Sequence, residues 1–287
     1  MSESIYAVGD IINEGQYKVL RMLGRGGFGE IYECRCPESA EVHAVKVETE
    51  GGFLRREVEL YQLLADCSSV PDFFGANVAR DPHWLVLSVE GENLATVRQH
   101  SQDHRLSPRR LLSIFYHAVK ALKEIHSFGL IHRDIRAVNM CIRRSQHKNP
   151  ILLVHFGQSI QVLQNDGSRV YGSLQDFSDS SMLSLRVLEG KAAREIDDLQ
   201  SLAYVILFLR GLWKKSNNKL SKKKAIELRI RLRDHLSGFL VSEHDQFLLE
   251  PLRTILRMGP DELPDYDQIT EAIERRGDFS MHGWSHH

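Results

Sequence analysis

The chain has 287 residues, of which 42% are hydrophobic and 26% are charged, and its formal net charge is −1. This length can bury a large core, either as one domain of two lobes or as two small domains. A net charge close to zero gives no general attraction to nucleic acid or to anionic lipid, so we expect neither as a partner. The longest apolar stretch, 199–213, is too short and too often interrupted to span a membrane.

Cysteine usage and the N-terminus bear on the compartment. Four cysteines, at Cys34, Cys36, Cys67 and Cys141, match no zinc or thioredoxin spacing. The first ten residues contain no apolar signal region. We therefore expect a reducing setting, in the cytoplasm or the nucleus.

The first third of the chain has the pattern of an antiparallel sheet. Short alternating runs separated by glycines predict strands over 17–24, 28–36 and 41–48. Apolar residues then take helical spacing over 53–67, and 83–89 returns to a strand pattern. A small sheet with one packed helix is predicted.

After Gly91 the pattern becomes mainly helical. Ser107 and Pro108 are typical of a helix start, and Gly129 ends that helix. Short strands are predicted over 140–142 and 151–154, and further helices over 196–211, 222–240, 244–258 and 266–275. The prediction is an α+β, bilobal fold, with an extension over 1–16, a sheet-rich lobe over 17–91, a helical lobe over 92–277 and a tail over 278–287.

A glycine-rich motif lies between the first two long strands and fits G-x-G-x-x-G-x-V with Ile in the last place. Glycine lets backbone amides come close to phosphates, because no Cβ intervenes. Alone, such a match is often only a turn. The strand, turn, strand setting favours a kinase loop over a dinucleotide-binding fold. The candidate nucleotide-binding residues here are Leu23, Gly24, Arg25, Gly26, Gly27, Phe28, Gly29 and Ile31.

The next strand carries the run Ala44-Val45-Lys46, which places an ammonium where it can pair with the α- and β-phosphates of a nucleotide. The alternative for Lys46 is an exposed strand lysine. Glu57 is the expected partner of Lys46, because it shares the apolar face of its helix. Glu48 and Glu59 are the other candidates.

The strongest signal is the run 132–139, HRDIRAVN, which has the H-R-D-x-x-x-x-N spacing of a kinase catalytic loop. Asp134 is the candidate base for the substrate hydroxyl, and Asn139 is the candidate metal ligand. Arg136 stands where serine/threonine kinases usually have Lys beside the γ-phosphate. The positive charge is kept, but its geometry changes from a compact ammonium to a planar fork.

His155-Phe156-Gly157 stands where a kinase carries Asp-Phe-Gly. The missing carboxylate would bind Mg²⁺, which prefers oxygen ligands, whereas imidazole suits zinc, copper, iron or nickel. His155 then either fills space through a nearby hydrogen bond, binds an unusual metal, or leaves Mg²⁺ to Asn139 and the phosphates. We expect ATP as cofactor, with Mg²⁺ weak or absent.

With these motifs in place, the chain resembles the casein kinase 1 group, and most of all its tau-tubulin kinase branch, from about Tyr17 to Arg275. The runs that carry the likeness include LGRGGFGEIY, HAVKVE, EGENLATVR, EIHSFGLIHRDIRAVNM and REIDDLQSLAYVILFL. The resemblance implies a kinase fold with adenine at a hinge of Ser88, Val89 and Glu90 behind a Leu87 gatekeeper, with Ala44 also at the nucleotide. It also implies that Asp198 binds the backbone of the catalytic loop.

The segment 173–187 departs from this group, because an acidic, serine-rich run replaces a basic substrate loop. Casein kinase 1 enzymes favour acidic substrates, which Asp176 and Asp179 would repel. Three hypotheses follow: a pseudokinase that binds partners and nucleotide, an active but atypical serine/threonine kinase, and a structural module that ignores nucleotide. The expected partner is a protein, bound or phosphorylated, and the expected state is a monomer.

Overall fold

The structure, a computed structural model, describes residues 4–13, 16–26, 29–48, 52–145, 149–164, 166–171, 182–213, 221–259 and 263–277. Its contacts divide the chain into two compact units. The first comprises 1–91 together with 155–157, and the second comprises 92–154 and 158–287. Across the described residues, no helix is both long enough and apolar enough to cross a membrane.

The described part of the first unit forms one antiparallel sheet in the order β1-β2-β3-β4-β6-β5. The predicted strands are confirmed to within about two residues at each end. Two strands were missed: β1, which lies in the predicted extension, and β5. The strands are β1 (Ile11–Ile12), β2 (Tyr17–Gly26), β3 (Gly29–Arg35), β4 (Val42–Glu48), β5 (Phe73–Asn77) and β6 (His83–Ser88).

One helix, α1 (Phe53–Leu63), packs in this unit and buries Leu54, Val58 and Tyr61. The prediction that the helix runs to residue 67 is wrong. Beyond Leu63 the bonds tighten to i→i+3 turns, from the amides of Ala65 and Cys67. Such bonds satisfy the last carbonyls of a helix and end it.

The second unit is mainly helical and contains two small hairpins. β7 (Leu130–Ile131) pairs with β10 (Ile160–Gln161), and β8 (Met140–Ile142) pairs with β9 (Ile151–Leu153). The helices are α2 (Leu94–His100), α3 (Pro108–Ser127), α4 (Leu185–Leu188), α5 (Glu195–Leu209), α6 (Lys222–Asp234), α7 (Leu249–Leu256) and α8 (Tyr266–Glu274). Of these, α2 was not predicted from the sequence.

Helix α3 begins as predicted, with the Ser107 hydroxyl accepting the Arg110 amide and Pro108 in the first turn. It packs against α5, α8 and β9. Gly129 follows it at φ 72°, and a Cβ there would overlap the Leu163 side chain. Glycine is therefore required at this position for both reasons.

Two predicted helices are broken in the structure. The segment 222–240 ends its α-helix at Asp234, because His235 leaves helical geometry at φ −130° and ψ 42°. The segment 244–258 is a 3-10 helix over Glu243–Leu248 followed by α7. Pro251 has no amide to donate to an earlier turn, so it sits near the start of a new helix.

Candidate nucleotide-binding and catalytic residues

Lys46 lies on β4 between Ile31 of β3 and Leu85 of β6 and is only 6% exposed. Its ammonium forms an ion pair with the carboxylate of Glu57, which is buried on α1. Glu57 is the partner that the sequence analysis favoured. A buried lysine and glutamate need each other, because either charge alone would be costly to remove from water.

The alternative partner Glu48 has a different task. Its two carboxylate oxygens accept the amides of Phe53 and Leu54, at 3.2 and 3.0 Å, at the start of α1. These are amides that no earlier carbonyl in the helix can satisfy. Glu48 therefore anchors the helix that carries Glu57.

His155 contacts the same ammonium, with its Nδ1 atom 3.3 Å from Nζ of Lys46. The next amide, of Phe156, donates to the second oxygen of Glu57 at 3.2 Å. The buried ring of Phe156 meets Tyr61 of α1 edge-on, with 5.3 Å between centroids. The run 155–157 is thus held by the helix that carries Glu57.

The backbone at His155 has a φ of 73°, in the left-handed region. Histidine, asparagine and aspartate occupy this region more often than other residues with a Cβ. The conformation at residue 155 therefore suits the imidazole and would equally suit an aspartate.

The chemistry around His155 does not fit Mg²⁺. Lysine offers only donors, so Nδ1 of His155 accepts from Lys46 and is occupied. Mg²⁺ demands hard oxygen ligands, and a neutral imidazole supplies none. Within the described ranges, no group of three or more His, Cys, Asp and Glu side chains is arranged to hold a metal ion.

The glycines of β2 and β3 differ in whether the fold requires a residue without a Cβ at their positions. A Cβ at Gly29, whose φ is 114°, would overlap the carbonyl oxygen of Val47. At Gly24 and Gly26, a Cβ would meet nothing within 4 Å. The fold therefore explains Gly29 but leaves open space at the other two. Gly27 and Phe28 lie outside the described residues.

Arg25, in the glycine-rich motif, forms an ion pair with Glu30 at 2.6 Å. Glu30 also accepts the amide of Ile5 at 2.8 Å and the hydroxyl of Tyr32. Burial alone would raise the pKa of Glu30, but these hydrogen bonds and the charge of Arg25 lower it. Leu23 is 39% exposed, and Ile31 is half-buried opposite Lys46.

The predicted adenine-binding residues lie at the end of β6. Leu87 pairs directly with Ala44 of β4. The Ser88 hydroxyl donates to the Glu90 carboxylate at 2.6 Å and accepts the Asp72 amide at 3.0 Å. Ser88 and Glu90 are therefore held in one defined arrangement.

In the second unit, Asn139 fixes Asp134. Its side-chain amide nitrogen donates to the Asp134 carboxylate at 2.7 Å and to the Asp134 carbonyl at 2.9 Å. Arg136 lies 3.8 Å from the other carboxylate oxygen. With its nitrogen used in this way, Asn139 has its side-chain oxygen left as the atom that could bind a metal.

Asp198, at the start of α5, anchors the loop that carries Asp134. Its two oxygens accept the amides of His132 and Arg133 at 2.7 and 2.8 Å. Complete burial alone would raise the pKa of Asp198, but the His126 imidazole and the His132 amide lower it. The carboxylate therefore stays ionised and holds Arg133 at its left-handed φ of 67°.

Two residues of this network were missed by the sequence analysis. Nε2 of His126 lies 3.0 Å from Asp198, and Nδ1 of His126 lies 2.5 Å from the hydroxyl of Tyr266 on α8. Burial raises the pKa of the Tyr266 hydroxyl, which therefore stays protonated. His126 lies four residues after Leu122 on the apolar face of α3, and this spacing was a usable signal. Tyr266 offered none.

Most of the substituted substrate loop, including Asp176 and Asp179, lies outside the described residues. Its end is well anchored. Ser184 caps α4 and donates to Asp197 at 2.6 Å. Arg229 is 1% exposed and donates to the Leu183 carbonyl at 3.2 Å, with its guanidinium 4.8 Å from the ring centres of Tyr204 and Trp213.

Comparison with known proteins identifies the class. Residues 17–234 match the family model of the protein kinase domain. The chain therefore belongs to the protein kinase family. The solved structure of vaccinia related kinase 3 superposes with a TM-score of 0.79 at 20% identity, over 96% of this chain and 91% of that one. This likeness confirms the predicted fold, with an antiparallel-sheet N-lobe and a helical C-lobe.

Two relatives show which kinases the chain is similar to in sequence. A probable casein kinase I homologue of Encephalitozoon cuniculi (strain GB-M1) is 26% identical over 275 residues, which cover 90% of this chain and 84% of the relative. A probable serine/threonine-protein kinase of Dictyostelium discoideum is 29% identical over 229 residues. That match covers 75% of this chain and 45% of the relative, so the chain spans less than half of the second protein.

Proposed function

We propose that this chain is a casein kinase 1-like domain of the tau-tubulin kinase branch that binds ATP, transfers phosphate poorly and acts through protein interaction. The observation that carries the proposal is the contact between His155 and Lys46, at 3.3 Å. An imidazole that accepts a hydrogen bond from Lys46 occupies the position at which a kinase carries its metal-binding carboxylate.

Retained nucleotide binding is supported by features of the first unit. Lys46 is held by Glu57, as a phosphate-pairing ammonium requires. Gly24 and Gly26 border open space, which a phosphate can approach without meeting a Cβ. The end of β6, with Leu87, Ser88 and Glu90, would receive the adenine. Ala44 would line the same place.

Impaired transfer follows from the metal chemistry. Phosphoryl transfer depends mainly on positioning and on charge neutralisation by metal ions. Losing a charged ligand raises the barrier, and each 1.4 kcal/mol or so lowers the rate about tenfold. Arg136 adds a second change, because a guanidinium replaces the usual lysine ammonium beside the transferring group.

The alternative is an active, atypical serine/threonine kinase, and one observation favours it. Asp134 is oriented by Asn139, and the loop that carries it is anchored by Asp198. A carboxylate held in this way can accept the proton of a substrate hydroxyl, with Asn139 and the phosphates holding Mg²⁺.

The proposed partner is a protein, and the proposed state is a monomer in the cytoplasm or nucleus. Protein kinases act on proteins, and a net charge of −1 does not favour nucleic acid or membrane. All four cysteines are free thiols, and two of them, Cys34 and Cys67, are buried. This usage fits a reducing compartment.

A paired measurement tests the proposal. Thermal unfolding with ATP reports binding, since a ligand that binds only the folded state raises the midpoint. A radiolabel assay on generic protein substrates reports transfer. We expect a midpoint shift with ATP and little transfer with Mg²⁺ or Mn²⁺.

The Asp134→Ala variant is the control for the transfer assay. Robust Mg²⁺-dependent transfer that disappears in Asp134→Ala would establish the alternative instead. A midpoint that no nucleotide moves would refute ATP binding and leave only a structural module.

A further inference from the structure

We infer that the site takes nucleoside polyphosphate without a divalent metal, so that Mg²⁺ does not tighten binding. This inference rests on the proposed nucleotide binding and specifies the form of the ligand. It is carried by three side chains of the first unit, Lys46, Glu57 and His155.

The first step concerns the protonation of His155. Glu57 holds the Lys46 side chain as an ammonium, and an ammonium can only donate. The Nδ1 atom of His155, 3.3 Å from it, is therefore the acceptor, and the proton of the ring is on Nε2. The imidazole is neutral in this arrangement.

The net charge of Lys46, Glu57 and residue 155 depends on which side chain residue 155 carries. With a neutral His155, the ammonium of Lys46 and the carboxylate of Glu57 cancel, so the group carries no net charge. With aspartate at residue 155, the same group would carry one negative charge. In a kinase, the metal ion offsets that carboxylate and bridges it to the phosphates. Without a carboxylate at residue 155, the group has no net negative charge to repel a phosphate, and the metal loses its anionic anchor.

The third step is that the phosphate-facing parts remain. Lys46 keeps its position, because Glu57 and His155 contact it together. At Gly24 and Gly26 a phosphate would meet no Cβ, since nothing lies within 4 Å of the place where one would stand. An ammonium and backbone amides are sufficient to bind phosphate oxygens directly.

Magnesium is expected to oppose binding rather than to assist it. Mg²⁺ loses its bound water molecules reluctantly and keeps several of them when it binds to a protein. A nucleotide that carries Mg²⁺ presents less negative charge to Lys46 and gains no ligand from residue 155. The metal-free nucleotide is therefore the preferred form.

The test is isothermal titration calorimetry of the whole chain with ATP, in EDTA and in excess Mg²⁺. We expect the Kd in EDTA to be equal to or lower than the Kd in Mg²⁺. Two variants provide the matched pair, His155→Asp and His155→Asn. Both side chains tolerate the left-handed backbone at this position, and they differ by one charge.

In His155→Asp, we expect binding in EDTA to weaken about tenfold or more, through repulsion in a partly buried site, and Mg²⁺ to restore it. In His155→Asn, Mg²⁺ should again fail to tighten binding, as in the unaltered chain. Circular dichroism confirms that each variant is folded. If His155→Asp does not fold, the ratio of the Kd in EDTA to the Kd in Mg²⁺ for the unaltered chain still tests the inference.

The outcomes separate this inference from the proposed function. Binding by the unaltered chain that tightens tenfold or more with Mg²⁺ overturns the inference alone, because nucleotide binding would stand. Binding in neither condition overturns the proposed nucleotide binding, and the inference with it. A His155→Asp variant that binds equally well in EDTA and in Mg²⁺ would also overturn the inference, because residue 155 would then not govern the metal requirement.

Discussion

His126 donates a hydrogen bond through Nε2 to Asp198, at 3.0 Å, while its Nδ1 atom forms a hydrogen bond with the hydroxyl of Tyr266. Both ring nitrogens of His126 are therefore used in hydrogen bonds. Since Asp198 also accepts the amides of His132 and Arg133, the chain of bonds joins α8 to the catalytic loop.

Removing only the hydroxyl of Tyr266 tests this connection. Tyr266→Phe keeps the ring but leaves the buried Nδ1 atom of His126 without its hydrogen-bond partner. The free energy of unfolding should fall by about 1–3 kcal/mol, the cost of an unsatisfied buried polar group. Urea denaturation measures it.

A second hydroxyl on α8 provides a matched control. Thr270 on α8 donates only to the Asp267 carbonyl one turn earlier and is not buried. Thr270→Val should change the free energy of unfolding by less than Tyr266→Phe does. Equal effects would mean that the bond to His126 contributes nothing particular.

The pair of Lys46 and Glu57 gives a second prediction. Lys46→Met leaves the Glu57 carboxylate buried without its cation, and we expect a loss of about 3–5 kcal/mol in unfolding free energy. Adding Glu57→Gln removes the uncompensated charge and should recover part of that loss. Thermal and urea unfolding of the single and double variants form the cycle. Strict additivity of the two substitutions would contradict a direct interaction.

The glycines supply a prediction that separates folding from binding. Gly29→Ala should destabilise the fold strongly, because its Cβ would overlap the Val47 carbonyl at a φ of 114°. Gly26→Ala should leave unfolding in the absence of ligand almost unchanged, since its Cβ meets nothing within 4 Å. The same variant should weaken ATP binding, because the added methyl group enters the space proposed for phosphate. Calorimetry and thermal unfolding together distinguish the two glycines.

The buried imidazole of His117 predicts a dependence of stability on pH. Burial, with a smaller effect of Lys120, lowers the pKa of His117 to about 4. Between that value and the ordinary pKa of about 6.5, the unfolded chain binds a proton that the folded chain does not. The free energy of unfolding should therefore fall as the pH drops through this window, and His117 contributes no pH dependence above it.

A non-titrating ring of similar size provides the comparison. The stability of His117→Phe should fall less steeply between pH 6.5 and 4.5, with a difference of up to about 2 kcal/mol from the unaltered chain. Superimposable pH profiles would show that His117 takes up its proton equally in the folded and unfolded states.

The features predicted correctly from local sequence patterns are those set by interactions between residues close together in the chain. The Ser107 cap, Pro108 and the stop at Gly129 fixed α3 in advance, because each acts within one turn of the chain. Likewise the apolar face of α1 was enough to choose Glu57 as the partner of Lys46. The break near Pro251 was missed because an apolar periodicity continues through it.

Long-range contacts outside the recognised motifs could not be predicted. Tyr266 and His126 are 140 residues apart, and no motif around either residue predicts the hydrogen bond between them. The same holds for β5, whose short run FFGAN alternates poorly, and for Ile11 and Ile12, whose pairing depends on β2 being present. The contact of His155 with Lys46 needed both the motif positions and the folded sheet.

The left-handed backbone at His155 also bears on how this domain could change over generations. Codons for histidine and aspartate differ only in their first base, and the backbone there already has a shape that aspartate accepts. A single base substitution would therefore place a carboxylate at residue 155 without any rearrangement of the backbone. Exchange between an imidazole and a carboxylate at residue 155 is thus a single mutational step, and selection on that step can act in either direction.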